Sequence, residues 1–225
     1  MNRALPTFRD ALNRVKIAVV AYLRSRGFRQ DSPVENHNDV MFVREDVVPP
    51  HLGLNLGSGQ RRFESVEGAM TWVNVDATDR PPDQRPDLVQ DIRARLPFPD
   101  ECADYVVLHH VLEHFGCGEA DGVLGQAWRV LKPGGSLLVF VPDLRALAIR
   151  WLTGALDTQL YITQLYGAYQ GEEGDRHRWG FDKHSLKSYI EQTLWKDDVQ
   201  LFDWRPIPGA NIARDWWILG VEAVK

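Results

Sequence analysis

Cysteine is almost missing from this chain: Cys102 and Cys117 are the 2 in 225 residues. Two thiols make neither a disulfide framework nor a cysteine zinc cluster, so a reducing cytoplasm is the expected setting. A long apolar run is missing too. Ile17 to Leu23 is too short to cross a bilayer. No small-residue cleavage site follows it, so neither a membrane span nor a secretory leader is expected. An excess of positive charge is also absent. Lys and Arg number 26 against 31 Asp and Glu, a formal net charge of −5. No global field draws such a chain to nucleic acid, and no nucleic-acid partner is expected. Internal repeats and low-complexity tracts do not occur. What is there, 44% apolar and 25% charged residues, suits one globular domain with a sizeable core.

The order of the chain is informative. Phe8, Ala11, Leu12, Val15, Val19 and Tyr22 recur at helical spacing, so an amphipathic helix is predicted over 7–26, ended by Gly27. Residues 29–50 are polar and finish in Pro49-Pro50. Residues 1–50 therefore read as a helix with a linker or cap, and 51–225 as the main domain. Short apolar runs follow at 52–57, 72–76, 87–91, 104–109 and 136–141, as buried parallel strands require. Ala120, Val123, Leu124, Ala127 and Leu131 mark a helix before the last of them. Lys132-Pro-Gly-Gly135 then stops that helix and turns the chain. Alternating strands and helices imply a doubly wound α/β sheet. Leu186, Tyr189, Ile190 and Leu194 mark a late helix. Two final strands, 199–204 and 216–224, read as an antiparallel pair closing one sheet edge. The insertion at 143–181 is expected to be a lid.

Chemistry gathers at the predicted strand ends. Gly57-Ser58-Gly59 follows the first strand, where glycine permits a tight turn and a following helix would offer free N–H groups. Such a turn alone is often a plain connection. Asp76 ends the second strand, where a carboxylate can accept both ribose hydroxyls; an isolated Asp there is also a common helix cap. Asp91 ends the third, within reach of an adenine amino group. Ligands of open α/β sheets bind along this edge. Arg62 occupies the third glycine position of a dinucleotide fingerprint, and no Gly-Lys-Ser/Thr phosphate loop exists. A cofactor without phosphates fits better.

The runs LNLGSG (54–59), WVNVD (72–76), DLVQDIRARLPFPD (87–100), DYVVLHHVLEHF (104–115), RVLKPGGSLLVFVPD (129–143) and HRWGFDKHSLKSYI (177–190) together resemble the class I S-adenosylmethionine-dependent methyltransferases. The resemblance is to small stand-alone bacterial ones. It implies a seven-stranded, mostly parallel Rossmann-like sheet with an antiparallel last strand and helices on both faces. It implies S-adenosyl-L-methionine as cofactor, with Gly57, Ser58 and Gly59 near its methionine part, Asp76 on the ribose, and Asp91 and the Ile92 backbone on the adenine. His109 and His110 would lie beside the methyl group. Asn55 stands where many relatives carry an acid; its amide can still bond but cannot attract the ammonium group by charge.

Other residues carry competing readings. His110-Val-Leu-Glu113-His114 spells the inverted zinc-protease motif. The segment begins at a strand end rather than on a long helix, so no metal site is expected, and Glu113 and His114 read as braces or substrate contacts. His114, Arg178 and Trp179 are candidate substrate-binding residues. Trp216-Trp217 would place adjacent indoles on opposite faces of a strand, one of them on a dimer contact or pocket rim. Cys117, between two glycines, reads as a small filler. Methyl transfer proceeds by in-line displacement at a sulfonium, and the protein contributes proximity and orientation. A hydroxyl acceptor adds the need for a base, for which His110 ranks first and His177 second. The expected acceptor is a hydroxyl or amine of a small molecule or saccharide, as in polysaccharide biosynthesis. The alternatives are a non-catalytic S-adenosylmethionine-binding protein and a nicotinamide enzyme.

Overall fold

The computed structural model describes residues 51–116, 118–168, 173–195 and 198–225. The expected helix at 7–26, the linker at 29–50 and Cys117 lie outside the described residues. The described part holds a seven-stranded sheet. Its strands are β1 (Leu52–Leu56), β2 (Thr71–Asp76), β3 (Leu88–Val89), β4 (Ala103–His109), β5 (Leu131–Pro142), β6 (Val199–Leu201) and β7 (Ile218–Val224). The spatial order is β3-β2-β1-β4-β5-β7-β6. The pairs from β3 through β5 are all parallel, and β7 runs antiparallel to both β5 and β6. The order reverses between β1 and β4, the place where such sheets open a crevice.

The helices are α1 (Glu119–Val130), α2 (Leu144–Leu152), α3 (Thr158–Tyr166) and α4 (Lys183–Glu191). Asp143, Asp157 and Asp182 cap α2, α3 and α4 with side-chain bonds to first-turn N–H groups. Ala120, Val123, Leu124 and Ala127 of α1 and Leu186 and Ile190 of α4 pack with Leu54, Val75, Leu108 and Val139 in the larger core. Alternate strand residues point the other way. There Trp72, Val107, Leu138 and Phe140 meet Phe63, Met70, Phe202 and Ile207, which belong to connecting segments rather than helices.

The helix expected after the glycine turn is not formed; residues 58–65 carry no regular structure. Asn55 and Asn74 are register partners on β1 and β2, and their side chains replace a helix's internal bonds. Asn55 Nδ2 donates to Arg61 O and to Asn74 Oδ1, both at 2.9 Å. Asn74 in turn accepts from Phe63 N and donates to Phe63 O. The backbone of 61–63 is thus paired without turning helical. The predicted Lys132–Gly135 turn is absorbed into β5 as a bulge: Ala103 pairs Leu131, and the next pair is Tyr105 with Ser136. Gly134 takes φ 78° there. The third strand shrinks from 87–91 to two residues, because Asp87 is held by Asn74. Trp216 and Trp217 precede β7 instead of lying within it.

Candidate active site

β1 enters a turn that brings its glycines against β2. Gly57 N and Ser58 N both donate to Val75 O, at 2.8 and 2.9 Å. Gly57 has φ 71°, and an added Cβ would lie 2.7 Å from Val111 Cγ2. Glycine is therefore required by strand packing as much as by any ligand. Gly59 N donates to Asp76 Oδ2 at 2.7 Å, and Thr78 N donates to Asp76 Oδ1 at 2.9 Å. Asp76 ties the turn to the end of β2 and keeps lone pairs for further donors. The turn's own N–H groups are engaged in protein bonds, unlike the free donors expected there.

Two features face outward from this turn. Ser58 Oγ is buried and has no partner among the described residues. Beside it, the space an added Gly59 side chain would take is open, with nothing within 4 Å. An orphaned hydroxyl next to open space and an acid is what a polar ligand would complete. Asp91 at the next strand end is half-exposed and chelated by its own neighbour, with Arg93 Nη2 at 2.8 Å and Nε at 3.0 and 3.1 Å. That bond holds its carboxyl below the usual range. Ile92 is buried.

At the end of β4, His109 is 8% exposed, and burial pushes its pKa down to about 3, with His110 and Arg61 adding to the effect. Arg61 Nη1 donates to its Nε2 at 3.0 Å. The lone pair of His109 is thereby occupied. His110 is different. Its backbone adopts φ 56°, a conformation costly for a residue with a side chain and common at functional sites. Its Nδ1 lies 3.1 Å from Glu113 Oε1. Its ring packs at 5.1 Å from Trp217 and 4.6 Å from His109. A carboxylate accepting from Nδ1–H leaves Nε2 as a proton acceptor.

The insertion reaches this corner. Arg178 N and Trp179 N both donate to Glu113 O, at 2.8 and 3.1 Å. Asp143 bridges Phe181 in parallel, and Leu144 N donates to Phe181 O. His114 and His177 meet ring to ring at 4.8 Å.

The family described as Methyltransferase domain matches residues 54–139. That segment holds five of the six runs on which the resemblance to the class I methyltransferases rests, in whole or in part. S-adenosyl-L-methionine is the cofactor of that class. Among curated proteins, methyltransferase str2 of Strobilurus tenacellus is 27% identical over 181 residues. That alignment covers 73% of this chain but 62% of str2, so the chain spans under two thirds of its relative. A possible exported protein of Bordetella parapertussis shares the fold at a TM-score of 0.51 and 17% identity, over 79% of this chain and 62% of that one. The 1,6-didemethyltoxoflavin-N1-methyltransferase of Burkholderia thailandensis, solved with 1,6-didemethyltoxoflavin and S-adenosylhomocysteine, aligns at a TM-score of 0.48 and 15% identity, over 100% of this chain and 93% of that one.

Within the matched segment, Gly57, Ser58, Gly59 and Asp76 come together at one point, and His109 and His110 sit at the neighbouring strand end. Asn55 is 2% exposed, and its amide protons serve Arg61 O and Asn74; it braces the turn. Arg178 and Trp179 are exposed, with Arg178 3.3 Å from Glu119. The sequence reading overlooked two residues, Arg61 and Trp217. Arg61 lies two residues past the glycine turn, a position open to notice. Trp217 was noted only as half of a tryptophan pair, and nothing local tied it to His110. Cys102 is partly buried, and desolvation pushes its thiol up to about 11; it is no nucleophile.

Proposed function

We propose that this chain transfers a methyl group from S-adenosylmethionine to a hydroxyl or amine of a small molecule, with a saccharide as the first acceptor class to test. The observation that carries the reading is the unpartnered buried Ser58 Oγ beside open space and Asp76, one strand away from His110. The residues present fit the cofactor. Asp76 would accept the ribose hydroxyls on the lone pairs that Gly59 and Thr78 leave. Ser58 would bond the methionine part, and Asp91 with the Ile92 backbone would meet the adenine. The cofactor supplies an electrophilic methyl on a good leaving group. The chain's own part is to orient and to move a proton. His110, fixed through Nδ1 by Glu113, takes the acceptor proton at Nε2 as the methyl arrives. His109 keeps its lone pair on Arg61 and stays neutral at the methyl's side. Trp217 flanks His110, and Trp179 is half-exposed; such flat apolar rings suit the C–H faces of a sugar.

A non-catalytic binding protein needs no aligned base, so the Glu113-held His110 favours the enzyme. The test is transfer of labelled methyl from S-adenosylmethionine to a panel of saccharides and to a metabolite extract. His110→Ala should lower turnover by about 10²–10⁴-fold with little change in cofactor affinity. Retention of more than roughly a tenth of wild-type turnover would remove His110 as base and point to an amine activated by positioning alone.

A further inference from the structure

Behind His110 lies a cluster of which the proposed methyl transfer uses a single atom, the Glu113 oxygen that holds His110. Glu113, His114 and His177 bring one ligand atom each to within 4.8 Å of one another. They come from different parts of the chain: Glu113 and His114 from the 3-10 turn after β4 (Leu112–His114), His177 from the insertion. The inverted motif paired His110 with His114 as ligands. The folded chain instead turns His110 toward Glu113 Oε1 and replaces it with His177.

Three observations point to a ligand. First, Glu113 is 1% exposed, and its Oε2 has no partner among the described residues. A buried carboxylate oxygen left unpaired is costly unless a cation completes it. Second, both histidines are arranged as metal ligands usually are. His114 Nδ1 lies 3.2 Å from Arg176 O, and His177 Nδ1 lies 2.9 Å from Gln164 O. A carbonyl can only accept, so each Nδ1 carries the proton and each Nε2 keeps its lone pair. A ligating histidine typically donates its other N–H in this way. Third, Glu113 and His177 line one small cavity with Pro142, Leu147, Gln164 and Phe181. Its apolar walls would limit water around a bound ion.

The donor set selects the ion. Two imidazoles and one carboxylate suit zinc and its neighbours, and disfavour magnesium and calcium, which take oxygen ligands. In a tetrahedral site, ligands at about 2.1 Å from the metal stand about 3.4 Å apart. The present atoms, all within 4.8 Å of one another, would have to close by at most about 1.4 Å to reach it. We propose that Glu113, His114 and His177 bind one zinc-class divalent ion, which clamps the 143–181 insertion onto the end of β4. Three protein ligands leave a fourth position for water or an acceptor oxygen. Glu113 then bridges the ion and His110, using one oxygen for each.

The experiment uses the full-length, tag-free protein after metal stripping. Equilibrium dialysis against Zn²⁺ should give about one equivalent per chain, and Co²⁺ should give visible ligand-field bands that Zn²⁺ bleaches. Zn²⁺ should raise the thermal midpoint, whereas Mg²⁺ should not. His114→Asn and His177→Asn should each weaken binding by about 100-fold or more. His184→Asn, on the exposed side of α4, should bind as wild type. Circular dichroism of the stripped variants shows whether they fold, and the near-isosteric Glu113→Gln serves if a histidine variant does not. Wild-type uptake below about a tenth of an equivalent overturns the proposal whatever the variants do. Full-strength binding retained in both histidine variants overturns it as well. The methyl-transfer reading is tested separately, by cofactor affinity.

Discussion

His109 and His110 are adjacent, yet their surroundings are opposite in kind. His109 is buried against Phe140, His110 and Arg61, and desolvation favours its neutral form. Its folded pKa of about 3 lies below the ordinary value near 6.5. Between those values the unfolded chain binds more protons than the native one. Stability therefore falls as pH drops through that window, by at most about 1.4 kcal/mol per pH unit for this one group. Urea denaturation from pH 6.5 down to 4 should show the slope, and His109→Gln should flatten it by close to one proton. His177 is depressed by burial too and adds in the same sense. A slope unchanged in His109→Gln would mean that the imidazole is protonated in the native state. The contrast between the two histidines was not legible in the sequence. Both stand at the end of β4, and only the φ 56° turn at His110 sends one ring to Arg61 and the other to Glu113.

Among the elements, strands were read better than the segments between them. β1, β2, β4 and β7 carry continuous apolar runs, and a doubly buried strand needs little else to be recognised. The segment after β1 was read as a helix start, and what defeated that reading is a buried polar network. Asn55 and Asn74 look like ordinary polar residues until their register places them side by side. This face is finished by a distant loop. Glu64 N donates to Gly209 O, and Trp72 Nε1 donates to Pro208 O at 2.7 Å. Gly209 has φ 76°, and an added Cβ would overlap the Glu64 carbonyl. Gly209→Ala should thus lower stability by about 2 kcal/mol or more, read as a shift of the urea midpoint. A change under about 0.5 kcal/mol would mean that the 206–211 loop does not seat as described. The insertion belongs to this scale as well. Its hydrogen bonds from Arg178 and Trp179 to Glu113 O are few, and α3 has no fully buried residue. Weakly packed segments open easily. Hydrogen exchange across 143–181 should slow when cofactor and acceptor are both present. Protection confined to 53–115 would make the insertion a packing element instead of a lid.

For the whole molecule, the sheet order decides where chemistry can occur. Reversal between β1 and β4 places the Gly57–Gly59 turn, Asp76 and the paired histidines along one edge, while α1 and α4 hold the opposite side of β4 and β5 in the core. Among the described residues no helix is long and apolar enough to cross a membrane. The fold class and the acid at the end of β2 were legible because strand-end chemistry follows topology. The acceptor was not, since the residues proposed to meet it, His110, Trp179 and Trp217, lie far apart in the chain. The central claim is that this edge holds S-adenosylmethionine through Asp76. Calorimetric titration of the full chain with S-adenosylmethionine tests it most directly, repeated with Asp76→Asn, which keeps the shape while removing the charge. The account predicts one site per chain, weaker by about tenfold or more in the variant, as loss of a charge-assisted bond requires, and weaker binding of NAD than of S-adenosylmethionine. Equal affinity in wild type and variant, or tighter binding of NAD, would contradict it.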